Sequence, residues 1–172
     1  MLKAILFDMD GVIVDTEPLH QKAYYAMFND YNLNISDAMY QSFTGQSTIN
    51  ICKKLCANFN LDADPNALVA RKRFHFKDLF FNDPSLGLID GVLDLIKDYF
   101  QNGLTLVLAS SASMLTINNV FTRFDLDQYF TAKLSGADLK ASKPHPEIFI
   151  KAAEASGFNR NECIVIEDST NG

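Results

Sequence analysis

Cysteine is scarce: Cys52, Cys56 and Cys163 are the only three in the chain, their number is odd, and none forms a Cys-x-x-Cys pair. That usage excludes a disulfide-stapled scaffold and fits reduced thiols, so the expected location is the cytoplasm. Cys52 and Cys56 lie four apart on an expected helix and are read as core residues, not metal ligands. Long hydrophobic runs are also missing. No stretch approaches the roughly 18 consecutive apolar residues of a membrane span, and one lysine precedes a strand-like N-terminal segment that has no small-residue cleavage site. Membrane and secretory roles are therefore not expected. Positive charge is in deficit, with 15 Lys and Arg against 21 Asp and Glu, a net charge of −6 and a pI near 4.9. A nucleic-acid partner is disfavoured. The one basic block, Arg71-Lys72-Arg73, reads as a solvated helix face. The chain has no Gly-x-Gly-x-x-Gly, Walker-type loop or zinc spacing, which disfavours nucleotide-cofactor and P-loop enzymes. It has no internal repeat or low-complexity segment.

What the chain does have is a pair of carboxylates directly after a wholly apolar run, Ala4-Ile5-Leu6-Phe7-Asp8-Met9-Asp10-Gly11. Such a run reads as a strand buried on both faces of a parallel sheet, and ligands bind beyond the carboxyl ends of those strands. Charges placed there cost free energy unless a cation or hydrogen-bond donors compensate them. Two further apolar runs end the same way: Leu104 to Ala109 before Ser110-Ser111, and Cys163 to Ile166 before Glu167-Asp168. Helical patterns at Gly91 to Gln101, Ser113 to Phe124 and Pro146 to Ser156 lie among them. This alternation predicts an α/β fold with a Rossmann-like, doubly wound parallel sheet. Pro146 is expected at the first position of its helix, with Gly157 closing it.

The stretch from Glu17 to Asp83 shows no strand-like run. Helical patterns cover Pro18 to Asn29, Ser36 to Phe43, Ser47 to Phe59 and Pro65 to Phe81, which predicts an all-helical insertion. Asp64-Pro65 supplies an N-cap and first-turn proline, and Asn82-Asp83-Pro84-Ser85 supplies the turn out. The expected division is a core of residues 1–16 and 84–172 and an insertion of residues 17–83. Its aromatics, Tyr24, Tyr25, Phe28, Phe74, Phe76, Phe80 and Phe81, are read as a small helical core.

Parallel strands point their carboxyl ends the same way, so Asp8, Asp10, Ser110 and Asp168 are expected at one edge. Carboxylates converging with backbone carbonyls make an oxygen-only site suited to Mg²⁺, with Asp8, Asp168 and Glu167 as candidate ligands. Lys143 could offset phosphate charge, Ser110 could donate to a phosphoryl oxygen, and the helix start near Ser113 could add N–H groups. In that setting one carboxylate attacks phosphorus while the other protonates the leaving oxygen, and Asp8 and Asp10 suit those roles. Taken singly, an Asp after a strand is a turn residue more often than a catalyst. By itself His20 is more often a packed histidine, and His75 and His145 are read as structural.

The chain resembles the haloacid dehalogenase superfamily, in its branch of β-phosphoglucomutase-like sugar-phosphate enzymes with a helical cap. Four motifs carry the resemblance in order: Phe7-Asp8-Met9-Asp10-Gly11-Val12, Leu108-Ala109-Ser110-Ser111, Ser142-Lys143-Pro144 and Val165-Ile166-Glu167-Asp168-Ser169. The resemblance implies Asp8 as nucleophile, Asp10 as general acid/base, Ser110 and Lys143 as phosphoryl holders, and a Mg²⁺ site drawn from Asp8, Asp10, Glu167 and Asp168. It implies substrate-binding positions at Thr16, His20, Gly45, Gln46, Ser47, Ser110, Ser111 and Lys143, with Thr16 and His20 helping to control when Asp10 enters the site. The insertion would be a cap with hinges near Val14 to Glu17 and Asp83 to Leu86. The expected activity is a Mg²⁺-dependent phosphatase acting on a small phosphorylated sugar or related metabolite through an aspartyl-phosphate.

Two departures qualify the resemblance. The mutases present a lysine and an arginine around a Gly-x-Ser turn in the cap, where this chain reads Phe43-Thr44-Gly45-Gln46-Ser47-Thr48. Without those charges phosphatase activity is favoured over the alternative, β-phosphoglucomutase transfer between sugar C1 and C6. The family also continues past Gly172 with a helix and an edge strand, so the C-terminal edge of the core is expected to be missing. A monomer is expected for a full-length form. Self-association, or a catalytically impaired fragment, is expected for a truncated one.

Overall fold

A computed structural model describes every residue except 44, 45, 140, 142 and 170–172. The chain forms two compact units, Met1–Thr16 with Leu86–Gly172 and, between them, Glu17–Ser85.

The first unit is built on a parallel sheet of order β3-β2-β1-β4, with β1 Ala4–Phe7, β2 Thr105–Ser110, β3 Phe130–Ser135 and β4 Cys163–Ile166. The apolar runs at β1 and β2 are almost wholly buried, as expected for strands covered on both faces. Helices α5 Val92–Gln101, α6 Met114–Arg123 and α7 Glu147–Ser156 flank the sheet. Pro146 precedes α7 as its N-cap instead of opening it, while Gly157 ends it in the left-handed conformation. The sequence pattern assigned no element to Phe130–Ser135, which is a strand. Its burial is partial and Lys133 sits in its middle, so it lacks the continuous apolar run of its neighbours. Edge position explains that composition. At the opposite edge β4 leaves Ile164 and Val165 51% and 41% exposed.

The second unit holds α1 Glu17–Asp30, α2 Asp37–Gln41, α3 Thr48–Phe59 and α4 Pro65–Asn82. Asp64 caps α4 by accepting from the Asn66 N–H, and Pro65 follows at the first turn. Tyr24, Met27, Phe28, Ile51, Cys52, Leu55 and Leu68 form its core. Two of the aromatics read as core are not: Phe74 is 59% and Phe81 48% exposed. A second correction concerns the basic block, where Arg71 and Arg73 are solvated but Lys72 is 5% exposed. Successive helical residues point about 100° apart, so three in a row cannot share a face. Lys72 instead occupies the inward stripe that Leu68, Val69 and Phe80 follow. Among the described residues no helix is long and apolar enough to cross a membrane.

Candidate functional site

Asp8 leaves the end of β1 with its N–H donating to the Ile166 carbonyl of β4 at 2.9 Å, and its side chain is buried. Lys143 meets it: the ammonium lies 2.8 Å from Asp8 Oδ1 and 2.6 Å from Glu167 Oε2, and 4.7 Å from the centre of the Phe149 ring. Glu167 is held from its other side by the Ser169 hydroxyl at 2.9 Å. Burial raises Asp8 above the ordinary carboxylate range, with Lys143 opposing the shift. For Glu167 the balance reverses. Against its burial, the bonds from Lys143 and Ser169 hold it below that range.

Oxygens of Asp8, Glu167 and Asp168 lie within 4.8 Å of one another. A donor set of carboxylate oxygens alone is the chemistry a hard divalent cation takes. Asp10 is outside this cluster. It accepts a 2.7 Å bond from the buried Thr16 hydroxyl, and its backbone bridges to Val14. The protein around its carboxylate raises its pKa, with the Thr16 bond opposing and the charge of Asp168 adding to the rise. Gly11 makes the arrangement possible: its φ is +77°, and a Cβ there would lie 2.3 Å from the Asp168 carboxylate.

Ser110 ends β2 almost fully buried, with its Oγ accepting from the Ala112 N–H at 3.1 Å, and Ser111 follows it exposed. This turn rests on a residue the sequence pattern missed. Ser135, paired in register with Ser110 at the end of β3, is 5% exposed and donates its hydroxyl to the Ala112 carbonyl at 2.8 Å. The following Gly136 lies so close that a Cβ would sit 3.1 Å from Ser111 Cα. The signal available in sequence was Ser135-Gly136, a small polar residue beside the smallest one, but only recognition of β3 gives that pair meaning.

The helical unit contains the remaining expected positions. His20 and Gln46 line a cavity of about 450 Å³ together with Tyr24, Tyr40, Thr48 and Lys72. Gln46 accepts from Lys54 and donates to the Ser42 carbonyl, both at 2.6 Å. Ser47 is the exposed N-cap residue of α3, and Gly45 and Thr44 lie outside the described residues. Lys72 is the residue that sequence reading missed here. Its ammonium is 2.6 Å from His20 Nδ1 and about 5 Å from the Tyr24 and Phe76 ring centres. Burial, then the charge of Lys72, lowers His20 to about 4; Lys72 is itself lowered to about 8, chiefly by burial.

Comparison with known proteins places the chain among phosphatases and related enzymes by similarity. The chain is 28% identical over 173 residues to fructose-1-phosphate phosphatase YqaB of Escherichia coli, covering 98% of this chain and 87% of that protein. It is 28% identical over 169 residues to hexitol phosphatase B of the same organism, covering 98% and 76%. A β-phosphoglucomutase candidate from Thermotoga maritima superposes with a TM-score of 0.88 at 26% identity, over 99% of this chain and 78% of that one. The sequence profile of the haloacid dehalogenase-like hydrolases matches residues 5–172, from β1 and its aspartates to the acidic pair after β4. By that match, the chain belongs to the haloacid dehalogenase-like hydrolase family.

Proposed function

We propose that the protein is a Mg²⁺-dependent phosphatase that hydrolyses a small phosphorylated sugar or related metabolite through a phosphorylated Asp8. The observation that carries this reading is the convergence on Asp8 of Lys143, from the loop before α7, and of Glu167 and Asp168, from the loop after β4. The phosphatase names of the relatives support it.

In this reading Asp8 supplies the attacking oxygen, since ionised carboxylate is the form that Lys143 favours. Lys143 and the Ser110 hydroxyl hold phosphoryl oxygens, and N–H groups at the start of α6 add to them. Asp10, its carboxyl biased toward the protonated form by its surroundings, gives its proton to the leaving oxygen and then takes one from the water that opens the acyl phosphate. Thr16 keeps Asp10 oriented through its hydroxyl bond. Asp8, Glu167 and Asp168 would hold Mg²⁺, whose charge when bound neutralises the phosphate. The helical unit, as a cap, would choose the substrate, with His20, Gln46 and Ser47 contributing and excluding water.

The alternative is β-phosphoglucomutase, and the structure alters its weighing. Thr48 and Gln46 bring no charge to the helical cavity, but Lys72 and Glu17 bring one of each sign. That ammonium faces a neutral imidazole and two rings and shares its cavity with the Glu17 carboxylate, an anchorage unlike the exposed fork an arginine offers a second phosphate. Phosphate release therefore remains the favoured outcome.

Inorganic phosphate release from a panel of sugar and sugar-alcohol phosphates, with and without Mg²⁺, tests this. Mg²⁺-dependent release that Asp8→Asn abolishes is the expected result. Interconversion of hexose monophosphates without net release would overturn it in favour of the mutase.

A further inference from the structure

Helix α4 turns Leu68, Val69, Lys72 and Phe80 inward, and its opposite face carries two phenylalanines that lie outside the core. Phe74 is 59% and Phe81 48% exposed. They are seven residues apart, close to two helical turns, so they form one line along the helix. Ala67, Arg71 and Asp78 are exposed on the same face, within about 60° of Phe74 at roughly 100° per residue. Arg71 is held in place there. Its Nε–H donates to Asp30 at 2.6 Å, and its guanidinium lies 5.0 Å from the centre of the Phe74 ring. His75 also bonds to Asp30, which secures that anchor. Asp78 accepts from the neutral Asn82 amide at 2.8 Å. Exposed aromatic side chains in a line, rimmed by charges of both signs, have the make-up of an interaction surface.

We propose that this face is a dimer interface at which two copies of the chain pack their α4 helices antiparallel about a two-fold axis at Phe74. The face is its own complement under that operation. The axis reverses the helix, so residues at similar distances on opposite sides of Phe74 meet when they share a flank. Arg71, three residues before Phe74, faces the partner's Asp78, four residues after it, and the symmetric pair repeats the contact. Phe81, seven after, lies over the partner's Ala67, seven before, so a large side chain meets a small one. On the other flank Lys77 faces the partner's Ala70, where its stem covers apolar surface while its ammonium stays in water. Two ion pairs and an aromatic centre thus come from one stretch of sequence. A contact between two helices is small, so the dimer is weak, with a dissociation constant on the order of 10–100 μM.

The face contains none of the residues assigned to the phosphatase site, so the dimer stands or falls separately from that reading. Sedimentation velocity of the full chain over roughly 5–500 μM tests it, and a dimer is expected to build up across that range. Raising the salt should weaken it, because rim ion pairs are screened. Asp78→Lys and Arg71→Glu, each alone, set like charges opposite one another twice per dimer, and each is expected to weaken association at least about tenfold. Mixing the two variants restores two pairs of opposite charge, so the mixed dimer is expected to form about as strongly as the parent. Because Arg71 is anchored on Asp30, its variant could fail to fold; Phe74→Asp then takes its place and is expected to remove the dimer. A parent chain that stays monomeric throughout, or folded Asp78→Lys and Arg71→Glu chains that do not associate when mixed, would overturn the proposal. So would a dimer indifferent to Asp78→Lys or Phe74→Asp, which would belong to another surface such as the exposed β4 edge.

Discussion

Among the described residues two lysines are largely shielded from solvent, Lys143 in one unit and Lys72 in the other, and they are accommodated in opposite ways. Lys143 in the α/β unit sits between two carboxylates at 2.8 and 2.6 Å. Lys72 in the helical unit has a neutral imidazole and two aromatic faces as its near neighbours, with the Glu17 carboxylate lining the same cavity. In the first case burial raises Asp8 while Lys143 opposes the rise, and the bonds to Glu167 hold that carboxyl in its charged form. In the second the protein loosens the proton, and the lysine is lowered to about 8. Burial alone therefore says little about what a lysine does. The groups around it decide whether it is a fixed charge that holds an anion or an ammonium whose proton is loosened.

Replacing the matched lysine should give the largest effect. Lys143→Met leaves Asp8 and Glu167 facing each other without their cation, and is expected to cost about 3 kcal/mol of stability at neutral pH. Phosphate release should fall at least about a thousandfold. Millimolar Mg²⁺ should restore part of the lost stability by binding the folded form. Denaturant midpoints with and without Mg²⁺ measure both, and a variant as stable as the parent would show that Lys143 is not balancing the carboxylates.

Gly11→Ala tests the same unit through its backbone. The added Cβ would strike the Asp168 carboxylate at 2.3 Å, at a φ of +77° that side chains rarely adopt. A loss of about 2 kcal/mol is expected. Because Asp168 must move, Mg²⁺ affinity should weaken about tenfold. Unchanged Mg²⁺ affinity would separate Asp168 from the metal site.

Much of the α/β unit was legible because its chemistry is written in contiguous segments. β1, β2 and β4 are apolar runs whose following residues become neighbours once the strands are parallel, so Asp8, Ser110 and Glu167-Asp168 could be placed at one edge without coordinates. β3 was not legible, since a half-buried edge strand carrying Lys133 has no such run. The helical unit was readable as helices but not as a cavity. Lys72 was hidden by its two arginine neighbours in sequence, although its spacing from Leu68 and Phe76 places it on the inward stripe. Contacts such as His20 with Lys72, 52 residues apart, depend on how α1 and α4 pack.

Ser135→Ala examines the missed strand with a smaller perturbation. It removes the donor to the Ala112 carbonyl, and a cost of about 1 kcal/mol is expected. If Ser135 positions the Ser110 turn, inhibition by inorganic phosphate should weaken severalfold while Mg²⁺ affinity holds, and Ser135→Thr should restore it. Equal weakening of both would reduce Ser135 to a general packing role.

Lys72→Met carries the smallest expected effect and the opposite sign from Lys143→Met, which makes it the sharpest test of the comparison. Removing an ammonium desolvated beside His20 ends its desolvation cost, while the attraction of Glu17 and two ring contacts worth roughly 0.5–1 kcal/mol each are lost. The net expectation is a gain of about 1 kcal/mol at neutral pH. The pH dependence follows from the lowered value of about 8 in the folded chain against about 10.4 for a free lysine. Below about pH 8 both states hold the proton and the full burial cost is present. Between about pH 8 and 10.4 the unfolded chain holds a proton that the folded one has released, so parent stability rises with pH across that window. Lys72→Met should lose this rise. His20, lowered to about 4, gives the acid counterpart: as pH falls from about 6.5 toward 4 the unfolded chain takes up a proton the folded one does not, and stability declines. That decline should persist in Lys72→Met but be shallower, because the lysine charge is the lesser cause of the His20 shift. Denaturant midpoints measured from pH 4 to 10 would show both limbs. A loss of stability as large as that of Lys143→Met would mean that Glu17 balances Lys72 as fully as the carboxylates balance Lys143, and the contrast between the two units would not hold.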